Sequence, residues 1–349
     1  MRKKFDEIFE DCTKLGTKIK TDEYHSNGKH PIIDQGQEMV AGFTDLEDGL
    51  LDAVPAIVFG DHTRIIKYVD CPFFLGADGV KVLRSKVPNA NYRYLYYALK
   101  NAKIPNTGYN RHYKWLKELE IEYPPIDQQV KTVKVLDKVE SIIYNRQNQL
   151  QKLDELVKAR FVEMFGGIHD SSLYPYVPVK ELTHVISGGT PSRDVLEYWR
   201  DGTIPWVKTT ELQNKIITEV DEHITSKGLA ASSAKIVPPN TTLIAMYGQG
   251  KTRGMTGYLG ISASTNQACA CILPSPEINS VYIWKYFELS YDKLRNMAKG
   301  GNQPNLNGNM IKNFPVLVPP IKRQEEYVQF VNQVDKSKAV EGLYSSLCL

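Results

Sequence analysis

Cysteine is scarce in this chain. There are five, Cys12, Cys71, Cys269, Cys271 and Cys348, an odd number without any C-x-x-C spacing. That argues against a disulfide framework or a thiolate zinc site and makes a reducing cytoplasm the expected compartment. Cys269 and Cys271 stand two apart in an apolar run, so they are expected on one face of a strand as small hydrophobes. No apolar run approaches 18 residues, and none can form a membrane-spanning helix. Met1-Arg2-Lys3-Lys4-Phe5-Asp6-Glu7 lacks the apolar core of a signal peptide. Charge of one sign is missing too: 43 Lys and Arg face 40 Asp and Glu, a net of +3. A chain that coats nucleic acid through a broad basic field is thereby excluded, and any such contact must be a local patch. Disorder is excluded in turn, because 42% of the 349 residues are hydrophobic, enough for packed cores. The length is that of two or three domains.

Catalytic signatures are also wanting. No G-x-S-x-G, H-E-x-x-H or G-x-G-x-x-G occurs. Gly248-Gln249-Gly250-Lys251-Thr252 invites a phosphate-loop reading. The full pattern needs Gly at 245, where Ala245 stands, and the glycine-rich sequence that follows opens no helix to bind phosphate. The pairs Pro124-Pro125, Pro238-Pro239 and Pro319-Pro320 lack the preceding Asn or Asp and the following aromatic of a DNA aminomethyltransferase. The seven histidines are scattered and are expected mostly in loops and at the surface.

What the chain does contain is a repeat. Tyr123-Pro124-Pro125-Ile126-Asp127-Gln128-Gln129 returns 195 residues later as Val318-Pro319-Pro320-Ile321-Lys322-Arg323-Gln324. At the same offset Leu116, Leu119 and Ile121 fall opposite Ile311, Phe314 and Val316. Earlier, His30-Pro31-Ile32-Ile33 aligns with Thr203-Ile204-Pro205-Trp206. Each Pro-Pro suits a helix start, where the missing amide hydrogen has no partner to lose. From Ile126 to Phe165 there is no Pro or Gly, and apolar residues recur from Ile126, Val130, Val133 and Leu136 to Phe161 and Met164. That spacing predicts a rod of about 60 Å with one narrow apolar stripe, ended by Gly166-Gly167. The second copy, from Ile321, carries Val328, Val331 and Val334 on a like stripe but is shorter. It is expected to leave Ile126, Val130 and Val133 without full helical cover and to fray at Ser345–Leu349.

Between the helices the sequence reads as α+β. Strands are expected at Pro55–Phe59, Gly79–Leu83, within 238–247, at Gln267–Leu273 and at Phe314–Val318; short helices are expected at Arg93–Ala102 and Val281–Ala298. Basic and amide-rich loops recur in both copies. The loop 247–254 contains Lys251, Thr252 and Arg253 among glycines, which permit close backbone approach. Its counterpart carries His62, Thr63 and Arg64. The loop 299–307 carries Gln303 and Asn305, and its counterpart carries Asn110, Arg111 and Lys114. Arg and Lys can meet phosphate or guanine, and Gln or Asn can pair with adenine. Ordinary polar turns have the same composition.

With the duplicated P-P-I-x-x-Q segments, Gly188-Gly189-Thr190-Pro191, Ile204-Pro205-Trp206-Val207-Lys208 and Gly300-Gly301-Asn302-Gln303-Pro304-Asn305-Leu306, the chain resembles the specificity subunits of type I restriction–modification systems. The resemblance spans nearly the whole chain. It departs at Lys14-Leu15-Gly16-Thr17, which stands where the second copy has Ser187-Gly188-Gly189-Thr190. It implies two tandem target-recognition domains of mixed strands and helices, 1–125 and 170–320. The long helices 126–169 and 321–349 would join them, packed as an antiparallel coiled coil. Each domain would read one half of a bipartite double-stranded DNA target, and the helices would set the spacer. Partners would be methyltransferase and restriction or translocase subunits; no membrane is involved. The stripe left without full helical cover is one where the first domain, a methyltransferase subunit or a second copy could dock. The chain itself would be non-catalytic, without a cofactor or metal. DNA contacts would fall at Lys208, Lys251, Thr252, Arg253, Gln303 and Asn305 in one domain and at His62, Thr63, Arg64, Asn110, Arg111 and Lys114 in the other. A protein-binding adaptor with two related domains would show no sequence preference for DNA. An unrecognised nuclease or NTPase would show turnover by the purified chain.

Overall fold

The computed structural model describes residues 1–76, 78–108, 110–248, 250–298 and 305–346, with side chains to residue 338. It divides into two units, Met1–Asn145 and Arg146–Leu349.

The first unit begins with β1 (Arg2–Lys4), α1 (Phe5–Ile8) and β2 (Phe9–Asp11). There follow β3 (His30–Ile33), β4 (Gly42–Thr44), β5 (Ala56–Gly60), β6 (Ile66–Val69), β7 (Phe74–Leu75) and β8 (Val80–Ser85). The helices α2 (Tyr92–Lys100) and α3 (Tyr113–Lys117) precede β9 (Glu120–Glu122) and the long α4 (Ile126–Phe165). Three sheets result: β1-β9, β2-β8-β5-β6 and β4-β3-β7. Side chains alternate along β5 as the pleat requires. Ile57 and Phe59 face a core with Leu95 and Leu99 of α2, while Ala56 and Val58 face a second core with Val80 and Val82.

The second unit repeats the plan with β10 (Tyr176–Pro178), α5 (Val179–Leu182), β11 (Val185–Ser187), β12 (Ile204–Val207), β13 (Lys215–Ile217), β14 (Glu222–Ile224) and α6 (Ser226–Ala230). It continues with β15 (Thr242–Ala245), β16 (Thr256–Leu259), β17 (Ser264–Thr265), β18 (Cys269–Ile272), α7 (Ser280–Leu289), α8 (Tyr291–Met297), α9 (Gly308–Lys312), β19 (Pro315–Leu317) and α10 (Ile321–Ser346). The sheets are β10-β19, β11-β18-β15-β16-β13 and β14-β12-β17. Only β13, parallel to β16, is an addition to the first unit's order. Cys269 and Cys271 share one buried face, as their spacing predicts.

Equivalent hydrogen bonds close both units. The first strand pairs antiparallel with the last in each. The Tyr94 hydroxyl donates to the Glu122 carbonyl at 2.8 Å, and the Tyr282 hydroxyl donates to the Leu317 carbonyl at 2.8 Å. Gln129 Nε2 donates to the Pro124 carbonyl at 2.8 Å, and Gln324 Nε2 to the Pro319 carbonyl at 2.7 Å. The Pro-Pro carbonyls that start each helix are thereby tied to its second turn.

The structure changes several expectations. Pro31 lies opposite Phe43 and Pro205 opposite His223, so the two prolines are equivalent and the repeat is one residue out of the register read from sequence. The helix expected at Val281–Ala298 breaks into α7 and α8 at Ser290, whose hydroxyl donates to the Tyr286 carbonyl. The starts of the two domains differ: Thr13–Leu15 form a 3-10 turn, whereas Gly188 lies so close to the Thr265 and Asn266 carbonyls that no Cβ would fit. The stripe of α4 is not one seam. Val133 and Leu136 pack on the first unit's core, one of the docks expected for that stripe, while Ile126 and Val130 are 51% and 53% exposed. Val157, Phe161, Met164 and Phe165 pack with Tyr327, Val328, Val331 and Val334 of α10. The pair runs antiparallel, Phe161 meeting Tyr327 at 5.5 Å between rings and Asp154 meeting Lys338 at 2.5 Å. Of the tail expected to fray, 347–349 lie outside the described residues.

The two clamping glutamines are not equally bonded. Gln324 Oε1 also accepts the Asn279 amide at 2.9 Å, and that asparagine caps α7; Gln129 Oε1 has no partner among the described residues. Gln324→Ala leaves the buried Pro319 carbonyl and the part-buried Asn279 amide unpaired and should cost about 2–4 kcal/mol. Gln129→Ala should cost about 1–2 kcal/mol. Chemical unfolding followed by hydrogen exchange checks the order, and equal costs would contradict it.

At the end of α4, His169 packs edge-on to Tyr286 and Phe314. Burial, helped by the Lys293 charge, pushes its imidazole down to about 4. The unfolded chain then binds more protons between about pH 6.5 and 4, so stability falls as pH drops through that window and is fully present above it. His169→Gln should flatten the slope, measured as the pH dependence of the second unit's unfolding midpoint.

Candidate nucleic-acid interface

The first unit's expected contact residues lie on two loops. One is the turn between β5 and β6. Gly60 and Arg64 close it through the Arg64 amide on the Gly60 carbonyl, 2.7 Å, with Arg64 at φ +64°. The Gln35 side chain braces it, accepting the His62 amide at 3.1 Å and donating to the Asp78 carbonyl at 3.0 Å. Thr63 Oγ1 donates to the Gln35 carbonyl at 2.7 Å, so this hydroxyl is engaged in the turn. Arg64 Nη1 donates to the Ile104 carbonyl at 3.2 Å, which directs its guanidinium along the second loop. That loop leads into α3. It exposes Asn110 and Arg111, and Lys114 stands 4.8 Å above the Trp115 ring.

The loops are joined beneath the surface. The Asp61 carbonyl accepts the His112 amide at 2.8 Å, and Asp61 Oδ1 accepts the Tyr113 amide at 2.7 Å. His112 lies in the loop yet is wholly buried. His62, Thr63 and Arg64 are thus brought together with Asn110, Arg111 and Lys114 at one end of the unit.

In the second unit Lys251, Thr252 and Arg253 lie on the turn between β15 and β16, the position equivalent to residues 62–64. The Tyr291 hydroxyl donates to the Lys251 carbonyl at 2.7 Å, and Arg295 Nη1 donates to the Arg253 carbonyl at 3.0 Å. Both ties reach backbone atoms from α8, so the turn is held while the Lys251 side chain stays exposed. The strand β16 follows, which bears out the rejection of a phosphate-binding helix. Asn305 precedes Leu306, whose amide donates to the Met246 carbonyl at 3.0 Å, bringing these two residues to the end of β15. Gln303 lies outside the described residues.

Lys208 is held elsewhere. It follows β12 and pairs with Glu222 at 3.0 Å and Asp221 at 3.3 Å; the Glu222 hydrogen bond holds its ammonium above the usual lysine range. Contact with phosphate would require these carboxylates to release it. Sequence reasoning missed the braces: Gln35, Asp61, His112, Tyr291 and Arg295 carry no local signal, because each acts across 27 or more residues. Among the described residues no group of three His, Cys, Asp or Glu could hold a metal ion, and no helix is long and apolar enough to cross a membrane.

Two copies of one α+β unit, each closed by its terminal strands and followed by a spacer helix, define a tandem recognition architecture. The family described as type I restriction modification DNA specificity domain matches residues 1–155 and 173–343, and the chain belongs to it. The specificity subunit of the type I restriction enzyme EcoR124I/EcoR124II of Escherichia coli is 22% identical over 346 residues, covering 93% of this chain and 84% of that protein. That of the MjaIX enzyme of Methanocaldococcus jannaschii is 27% identical over 165 residues, 45% of this chain and 37% of that one. The fold is similar to a type I restriction–modification S subunit from M. genitalium, with a TM-score of 0.57 at 16% identity, covering 100% of this chain and 92% of that one.

The backbone carbonyls of Lys251 and Arg253 are tied to α8, so the turn keeps these anchors when either side chain is truncated. Arg253→Ala should cost about 1–3 kcal/mol of DNA binding and relax preference at one base position. Lys251→Ala should weaken binding evenly across sequences and lower its salt dependence. Titrations at fixed salt check both; unchanged affinity and methylation pattern in both variants would make the loop a simple turn.

Proposed function

We propose that the chain is the non-catalytic DNA-recognition subunit of a type I restriction–modification complex. The globular domains, 1–125 and 170–320, each read one half of a bipartite duplex target through the loops at the ends of β5 and β15. The spacer helices set the distance between the halves and dock methyltransferase subunits, and restriction or translocase subunits complete the assembly. The observation that carries this reading is the duplicated unit with basic and amide-rich loops at equivalent positions, in a chain of the specificity family.

The helix α4 supports the docking role. By helical geometry Val135, Val139 and Ile142 continue the line of Leu153, Val157 and Met164, the face that α10 covers farther along. These three are exposed. Lys131, Lys134 and Lys138 flank them on one side, exposed and without an ion pair among the described residues. A partner helix with acidic residues along its edge suits this face. Two copies of α4 paired antiparallel would set the lysine flanks against each other.

The spacing role is tested by lengthening α4. Four residues inserted near Asn148 should shift one domain by about 6 Å and turn it by roughly 40°. Methylome sequencing of cells carrying the complex should then show the same two half-sites with a spacer longer by about one or two base pairs. Altered half-sites with an unchanged spacer would contradict it.

A further inference from the structure

The buried imidazole of His112 joins two loops that the proposed function assigns to DNA. Its Nδ1 lies 2.9 Å from the Asp61 carbonyl oxygen, which can only accept, so Nδ1 carries the proton. Nε2 is then an acceptor. Facing it are two donors of one residue, the Thr107 amide at 3.4 Å and the Thr107 hydroxyl at 3.3 Å. The ring therefore bridges the end of β5 to the segment carrying Asn110 and Arg111. Thr107 passes the constraint on: its carbonyl accepts from Asn110 Nδ2, and the Asn110 amide donates to Gly108. The second unit is built otherwise. At the same register, 195 residues on, Asn307 spends its side chain on its own helix, accepting the Met310 amide at 2.9 Å.

We propose that His112 is a positioning residue for sequence readout: through Thr107 it fixes the placement of Asn110 and so determines base preference in the first half-site only. This rests on the reading that the 107–114 loop faces DNA. A buried donor–acceptor bridge suits the task, because both its bonds are protected from water and have fixed directions. Among the described residues this segment pairs with no strand, and its remaining hydrogen bonds are local apart from the Arg64 brace at Ile104.

The test uses the full chain with its methyltransferase subunit and a library of duplexes randomised across the target window. His112→Asn keeps an amide donor for the Asp61 carbonyl and removes the acceptor for Thr107. It should lower base preference about tenfold at one or more first-half positions and leave second-half preference within about twofold. Amide exchange at Thr107 and Gly108 should quicken, while that of β5 stays unchanged. Thr107→Val, which leaves the His112–Asp61 bond in place, should act in the same direction and serves if His112→Asn does not fold. A paired Asn110→Ala, Arg111→Ala variant separates the two levels of the argument. If it alters first-half preference and neither His112→Asn nor Thr107→Val does, the positioning role is overturned while the DNA-facing loop stands. If the paired variant also changes nothing, the loop does not read DNA and the proposal falls with that reading. Loss of preference in both halves would mark His112 as a general stability residue and would equally overturn it.

Discussion

Everything in this molecule hangs on how a mixed sheet is closed and joined to a helix. In each unit the first strand pairs with the last, and the chain then turns through two prolines. Those prolines cannot donate, so their neighbouring carbonyls need partners from elsewhere. A buried glutamine one turn into the helix supplies an amide to the first of them, and a tyrosine of α2 or α7 bonds the last strand. The helix axis is thereby referred to the sheet by buried hydrogen bonds of fixed direction. A domain that leans freely on its spacer could not hold a half-site at a defined distance.

The two copies share this closure and differ in how the loops of the proposed interface are held. The first unit anchors its loops through Gln35, Asp61 and His112, the second through Tyr291 and Arg295 on α8. Shared scaffold and divergent braces are what a protein needs to read two unrelated half-sites with one fold. The loops can vary without disturbing Tyr94, Gln129 and their equivalents. The side chains with fixed partners also narrow the field of contacts. Thr63 and Lys208 are already engaged, whereas Arg111 and Lys251 present charge to solvent.

Helix α4 shows how one apolar pattern can serve several neighbours. Its residues 133 and 136 belong to the first core and 157–165 to the second. Between them Val135, Val139 and Ile142 lie outside both, with lysines beside them. A helix rotates its face by about 20° per heptad relative to a strict 3.5 repeat, so a long stripe drifts from one partner to the next.

The amino-acid order alone determined the duplication, the two helices, the alternation of the β strands and the absence of catalytic signatures. All of these are local or periodic features, written in spacings of two, of three and four, and of 195 residues. It also pointed to the loops, because glycine, amides and basic residues cluster there. Tertiary structure alone decided which side chains in those loops are spent on folding. The Arg64 guanidinium meets a carbonyl 40 residues away, and His112 bridges Asp61 and Thr107. The one-residue shift at Pro31, the break at Ser290 and the division of the α4 stripe were likewise settled by packing. Hydrogen bonds between distant segments depend on where the backbone brings them, and no spacing in the sequence encodes that meeting.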